Sequence, residues 1–295
     1  MKKVLMGNHA AAVAAALARV QVTVGYPLTP QTPVYELLAE MKLNGTLAGE
    51  FIAAESEHSV MAAIYGAATA GARTFTATSS QGLAYMHEML HWVAGARLPV
   101  VMVDVNRALG APWNLGTDQT DSLSQRDTGW IQIYCSTNQE ILDSVLMAFK
   151  IAERVMIPTM VVLDGFTLSH SYEPVDVPAQ DDIDAFLPPF KPELTLDPKR
   201  PMTFGALVGP KDYLRLRRRM AADMAEAERA IDEVGREFGE RFGRFYGQLD
   251  AYRCEDAETV LVTSGAVGST ARAAVDALRE QGLAAGNLRM RSFRP

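Results

Sequence analysis

Gly49 to Arg107, GEFIAAESEHSVMAAIYGAATAGARTFTATSSQGLAYMHEMLHWVAGARLPVVMVDVNR, is the stretch on which the fold turns. Two carboxylates, Glu55 and Glu57, stand at the head of a segment rich in Ala, Gly and Ser. The pattern predicts a helix over Ser56 to Ala70, a strand over Thr74 to Thr78, a Ser-Ser-Gln-Gly turn, a helix over Leu83 to Ala94 and a strand over Pro99 to Val105. That alternation of helix and strand is the order of a parallel sheet. Val100, Val101, Val103 and Val105 form a near-continuous apolar run, as in a strand buried on both faces. Small residues let other backbones, or a flat ligand, approach the element that carries the acid. A carboxylate in the first turn of a helix is also ordinary helix chemistry, favoured by the exposed amides there, and the local pattern alone leans to that reading. Asn106-Arg107 falls directly after the strand. An arginine so placed is usually a salt-bridge former, with anion binding as the competing role.

Upstream, Asn8 is a plausible N-cap for an alanine-rich helix over His9 to Arg19, and Val20 to Val24 reads as a strand. Gly25-Tyr26-Pro27-Leu28-Thr29-Pro30-Gln31-Thr32-Pro33 then carries three prolines at three-residue spacing. Proline donates no backbone hydrogen bond and restricts the residue before it, so this is a rigid loop. Loops at the carboxyl ends of strands are where open α/β sheets bind ligands, although a turn that merely starts a helix at Val34 would look the same. Downstream, Ala108 to Thr128 is a long polar loop, expected to serve an active site or a subunit contact and not to hold a metal. A strand over Trp130 to Tyr134, a helix over Asn138 to Arg154 that Asn138 caps, and a strand over Thr159 to Leu163 complete an α/β domain of residues 1–171.

From Tyr172 to Pro210 the composition turns to proline, as in an extended linker laid over a neighbouring subunit. A helix of about ten turns comes next, roughly Lys211 to Tyr246. Met220, Met224, Ala227, Ile231, Val234, Phe238, Phe242 and Phe245 make one apolar stripe along it. Its cluster Arg215, Arg217, Arg218 and Arg219 reads as a solvated face or a contact for an acidic partner. Residues 172–256 form this linker-and-helix segment. Residues 257–295, with strands at Thr259 to Thr263 and Asn287 to Ser292 flanking a helix over Gly268 to Gln281, open a second α/β domain. One such unit cannot bury both faces of its sheet, so the chain is expected to be a fragment of a longer subunit.

Composition narrows the function. With 48% hydrophobic and 21% charged residues the chain is an ordinary soluble globular protein, and 295 residues suffice for a large core. A formal net charge of −7 argues against a general nucleic-acid binder. No apolar run approaches the roughly 18 residues of a membrane span, and the first residues are too few for a secretory signal. The cytoplasm is the expected compartment. The two cysteines, Cys135 and Cys254, are far apart, which excludes an iron–sulfur cluster held by this chain alone.

Taken together, GNHAAAVAAALARV, GYPLTPQTP, AAESEHSVMAA, GARTFTATSSQGLAYMHEMLH, ARLPVVMVDVNRALG, SQRDTGWIQIY and DGFTLSH resemble the α subunit of the 2-oxoacid:ferredoxin oxidoreductases, from Met1 to the terminal RSFRP. The resemblance implies a thiamine diphosphate enzyme of EC 1.2.7 type that oxidatively decarboxylates a 2-oxoacid with CoA. Pyruvate is the leading substrate, with 2-oxoisovalerate or phenylglyoxylate (the latter in an EC 1.2.1-like variant) and a non-catalytic scaffold as alternatives. It implies that this chain is the pyrimidine-binding domain and start of a transketolase C-terminal-like domain, with Glu57 at the pyrimidine N1′. Glu55 falls outside the matched register. Tyr26 and Pro27 would help bind the cofactor, and Thr29 and Arg107 would hold the substrate's carboxylate and oxo groups, a task suited to a donor fork. Leu28 stands where the family usually has isoleucine. Mg²⁺ with the diphosphate site, [4Fe–4S] clusters and the ferredoxin-like unit would come from β, γ and δ partner subunits, and electrons would leave to ferredoxin or another acceptor. Gly116, in the Trp113 to Thr120 loop, is expected to open space for a larger substrate side chain.

Overall fold

The structure is a computed structural model that describes all 295 residues. Its elements run β1 (Lys2–Met6), α1 (Gly7–Leu17), β2 (Val22–Gly25), α2 (Thr32–Leu43), β3 (Glu50–Ala53), α3 (Glu57–Thr69), β4 (Thr74–Thr78), α4 (Ser80–Tyr85), α5 (His87–Gly95), β5 (Val101–Asn106), α6 (Thr120–Leu123) and β6 (Ile131–Tyr134). They continue through α7 (Asn138–Val155), β7 (Thr159–Asp164), β8 (Tyr172–Asp176), α8 (Gln180–Phe186), α9 (Pro210–Phe242), β9 (Leu249–Tyr252), β10 (Thr259–Thr263), α10 (Val267–Glu280), β11 (Ala285–Met290) and β12 (Ser292–Arg294).

The large sheet has the order β12-β6-β7-β5-β4-β2-β3, parallel throughout except for β12 against β6. Because β-strand side chains alternate, the valine run of β5 splits cleanly between two cores. Val101, Val103 and Val105 enter the larger cluster with α1, α7 and α9. Val100 and Met102 enter the smaller one with Val60, Ile64 and Leu90 of α3 and α5. Helices therefore cover both faces, as the apolar run predicts. Each fully buried aliphatic side chain contributes about 1.5–3 kcal/mol. All carboxyl ends of the parallel strands meet at one edge, and the chain reverses its progression between β2 and β4, the place where such sheets bind ligands.

Several local expectations change. Asn8 is not a cap: α1 starts at Gly7, and buried Asn8 donates to the Pro30 carbonyl at 2.8 Å. α7 is capped by Thr137, whose hydroxyl accepts from Glu140 N, while Asn138 reaches across to the carbonyls of Leu5 and Ser171. The helix expected over Leu83 to Ala94 is two helices, α4 and α5, which meet at Met86. The proline-rich segment is no pure linker. β8 pairs antiparallel with β1, and α8 buries Ile183 and Phe186 in the main core. The chain beyond α8 lies over its own α3, since Leu196 N donates to the Thr69 carbonyl. α9 ends at Phe242 because Gly243 takes a left-handed conformation (φ 73°) that halts the helix. Phe245 is thus off the helix and exposed, and burial of the stripe begins only at Met220, with all of residues 210–219 exposed.

β10, α10 and β11 do form a parallel strand–helix–strand unit, extended by β9 into a small sheet of order β10-β11-β9. The expected strand to Ser292 is divided: β11 belongs to the small sheet, and β12 returns to the large one. Glu140 of α7 fastens the two together. Buried between Arg289 and Arg291, it accepts from Arg291 Nε at 2.6 Å and from the Arg289 guanidinium at 3.1 Å. Burial pushes its pKa up, but the charges of Arg291 and Arg289 outweigh that and hold it below the ordinary value.

Candidate active site

The two carboxylates of the opening stretch have different fates, decided by the cap of α3. Ser56 is the N-cap, its hydroxyl accepting from Ser59 N. Glu55 therefore lies outside the helix and exposed, accepting the Ser59 hydroxyl, a bond that lowers its pKa. Glu57 is the first helical residue and is only 9% exposed. None of the chain's hydrogen bonds or ion pairs reaches the Glu57 carboxylate. A carboxylate nearly withdrawn from water and lacking a partner costs free energy unless a donor meets it.

Gly82 in α4 explains how Glu57 is accommodated. A Cβ at Gly82 would lie 2.7 Å from Glu57 Oε1 and 2.6 Å from Thr78 Oγ1, far inside contact distance. Glycine is needed there because α4 runs directly against the carboxylate. Thr78 Oγ1, at the end of β4, is itself buried without a hydrogen-bond partner. Two unpartnered polar groups thus converge on one small-residue surface.

Arg107 comes directly after β5 and is 6% exposed. Its Nη1 donates to the Thr29 carbonyl at 2.6 Å, and its Nη2 donates to Gln81 Oε1. The ring of Trp113 lies 5.1 Å from its Cζ. Burial lowers the Arg107 pKa, while the charges of Asp121 and Glu57 oppose that shift, which places Glu57 within electrostatic reach of the guanidinium. Thr29 is brought to Arg107 through its main chain, with its side chain exposed. Tyr26 is half-buried against the smaller core, Pro27 is exposed, and the loop is pinned by Gln31 Nε2, which donates to the carbonyls of Tyr26 and Ala77. Glu57, Thr29 and Arg107, from three separate segments, therefore share one edge of the sheet, with Tyr26 and Pro27 alongside.

Asp121 was hidden in the sequence among three aspartates of the 108–128 loop. It is fully buried and accepts four hydrogen bonds, from Ser80 N, Arg107 N, Ser122 N and Asn106 Nδ2. Burial raises its pKa against these bonds. It clamps the loop to the turns after β4 and β5 and so fixes where Arg107 starts. No local pattern marks this role, because its partners are 14 and 41 residues away. At Gly116 the only side chain a Cβ would meet is that of exposed Asn114. The Gly116 N–H donates to Asn114 Oδ1 at 2.7 Å.

The donor set fits the pyrimidine of thiamine diphosphate in its chemistry: an unpartnered carboxylate and hydroxyl, and a glycine whose absent side chain leaves the carboxylate free. Residues 13–236 match the family described as pyruvate flavodoxin/ferredoxin oxidoreductase, thiamine diphosphate-binding, and residues 257–295 match pyruvate:ferredoxin oxidoreductase core domain II. The chain is 54% identical over 298 residues to a ketoisovalerate oxidoreductase subunit VorA of Pyrococcus abyssi, covering all of this chain and 75% of that one. It is 50% identical over 295 residues to a pyruvate synthase subunit PorA of Methanothermobacter thermautotrophicus, covering 99% and 77% respectively. Its fold superposes on 2-oxoglutarate:ferredoxin oxidoreductase from Magnetococcus marinus with a TM-score of 0.77 at 20% identity, spanning about half (54%) of that chain. No helix is long and apolar enough to cross a membrane. The chain belongs to the α subunits of the 2-oxoacid:ferredoxin oxidoreductases and is built around their thiamine diphosphate-binding domain.

Proposed function

We propose that this chain supplies the pyrimidine half of a thiamine diphosphate site in a cytoplasmic, CoA-acylating complex that oxidises an aliphatic 2-oxoacid, in the range from pyruvate to 2-oxoisovalerate. The observation that carries the proposal is the partnerless, nearly buried carboxylate of Glu57 on the same sheet edge as the clamped Arg107. When bound, the cofactor supplies a carbon nucleophile and an electron sink for decarboxylation. Glu57 would accept a hydrogen bond from the pyrimidine N1′ through its carboxylate, which no donor of this chain occupies. Tyr26 and Pro27 would form a stiff wall beside the ring, since proline fixes the backbone there. Arg107 would bind the substrate carboxylate, with the Thr29 hydroxyl at its oxo group. A guanidinium already held by the Thr29 carbonyl and Gln81 loses little freedom when it does so.

The diphosphate and its Mg²⁺, the [4Fe–4S] clusters and the path to ferredoxin are assigned to β, γ and δ partner subunits. The ketoisovalerate and pyruvate relatives are subunits by name, which supports a heteromeric assembly.

The test uses the complex purified anaerobically with its native partners. CoA-dependent viologen reduction is measured with pyruvate, 2-oxoisovalerate, 2-oxoglutarate and phenylglyoxylate, for wild type and Glu57→Gln. Activity with an aliphatic acid that drops at least about 10²-fold in the mutant supports the reading. Undiminished mutant activity removes Glu57 from its role. A complex that keeps its clusters and turns over no acid would show a scaffold subunit.

A further inference from the structure

We propose that Trp113 determines substrate specificity: its indole is the wall against which the side chain of the 2-oxoacid lies. This rests on the reading of Arg107 as the group that holds the substrate carboxylate. The guanidinium is held by the Thr29 carbonyl and Gln81, and its Cζ lies over the ring of Trp113 at 5.1 Å. Stacking on a cation fixes the orientation of an indole that would otherwise be free. Behind it, a Cβ at Gly110 would come within 3.5 Å of Trp113 Cδ1 and 3.1 Å of Gln81 Nε2, so backbone, indole and amide are packed together. Yet Trp113 remains 55% exposed, a large apolar surface kept at the mouth of the site and not in a core. A carboxylate bound at the free edge of the guanidinium leaves its acyl substituent beyond that edge, where the exposed indole of Trp113 is the neighbouring apolar group. An apolar aromatic face suits a methyl or branched alkyl group and offers nothing to a second carboxylate. The substrate class is accordingly 2-oxoacids with uncharged side chains.

The assembled complex carrying Trp113→Ala, Trp113→Phe or Arg107→Lys is assayed for KM and kcat with pyruvate and 2-oxoisovalerate. Trp113→Ala is expected to raise KM for 2-oxoisovalerate about five- to tenfold more than for pyruvate, as loss of an apolar pocket wall should, with kcat changed less than about threefold. Trp113→Phe should restore the ratio. Arg107→Lys should raise KM for both acids alike. Independently, in a Trp92→Phe background, 2-oxoisovalerate should quench tryptophan emission, and the quench should fall with Trp113→Phe, because Trp130, this chain's remaining tryptophan, is fully buried. If Trp113→Ala leaves the KM ratio unmoved and the quench is undiminished by Trp113→Phe, while Arg107→Lys still weakens both acids, the proposal is overturned and the reading of Arg107 stands. If Arg107→Lys leaves both KM values unchanged, the reading of Arg107 itself fails and takes the proposal with it.

Discussion

Gly82→Ala should weaken cofactor binding by displacing the Glu57 carboxylate. In a helix alanine loses less backbone entropy than glycine, worth about 0.5–1 kcal/mol, but that gain is realised only where the methyl fits without strain. The same methyl would sit 2.7 Å from Glu57 Oε1 and 2.8 Å from Glu57 Cγ, where ordinary contact begins at 3.4 Å. Relieving it moves the carboxylate by about 0.7 Å, the difference between 3.4 and 2.7 Å, or swings α4 away from α3 by as much. A charge-assisted hydrogen bond worth about 1.5–3 kcal/mol does not survive a displacement of that size. The expected result is a thiamine diphosphate dissociation constant, measured by titration of the apo complex, raised about ten- to a hundredfold. Turnover at saturating cofactor should fall comparably, and the overlap with Thr78 Oγ1 (2.6 Å) and Glu57 should cost about 1–3 kcal/mol, which outweighs the entropy gain and lowers the melting temperature. A variant that binds cofactor and turns over like wild type would refute the argument, since it would show that Glu57 can retreat without loss and so makes no essential contact.

Two further outcomes concern the frame. Phe238→Ala removes a fully buried ring that packs edge-on against Phe186 (5.3 Å between centroids) and beside Phe242 (4.5 Å). It should cost about 3–5 kcal/mol and, in hydrogen exchange, release α9 before the sheet. Glu140→Gln leaves Arg289 and Arg291 facing a neutral group and should cost about 3–5 kcal/mol at neutral pH. Since the pKa of Glu140 is depressed in the folded state, its contribution is fully present above the ordinary value of 4.5 and is lost as pH falls through the lower folded value. Acid unfolding curves of wild type and variant should therefore converge only below about pH 4.5, and curves that stay parallel to lower pH would sink this account.

The sequence by itself determined the parallel α/β core, because the valine run of β5 and the alternation around it can satisfy their burial only with helices on both faces. It also nominated Glu57, Thr29 and Arg107, through the family resemblance of the motifs that carry them and not through local pattern, which leans to ordinary helix charge for Glu57. Tertiary structure alone decided the rest. Which of Glu55 and Glu57 is withdrawn from water depends on Ser56 taking the cap and on Gly82 arriving from another helix. Asp121 became the anchor of the site because turns distant in sequence lend it their N–H groups, and periodicity carries no trace of such contacts. Phe245 left the apolar stripe once Gly243 turned the chain, and β12 crossed back to the large sheet. Short β1, β3 and β8 have no pattern of their own and exist because neighbouring strands offer them hydrogen bonds, which is a property of proximity in space and not of local sequence.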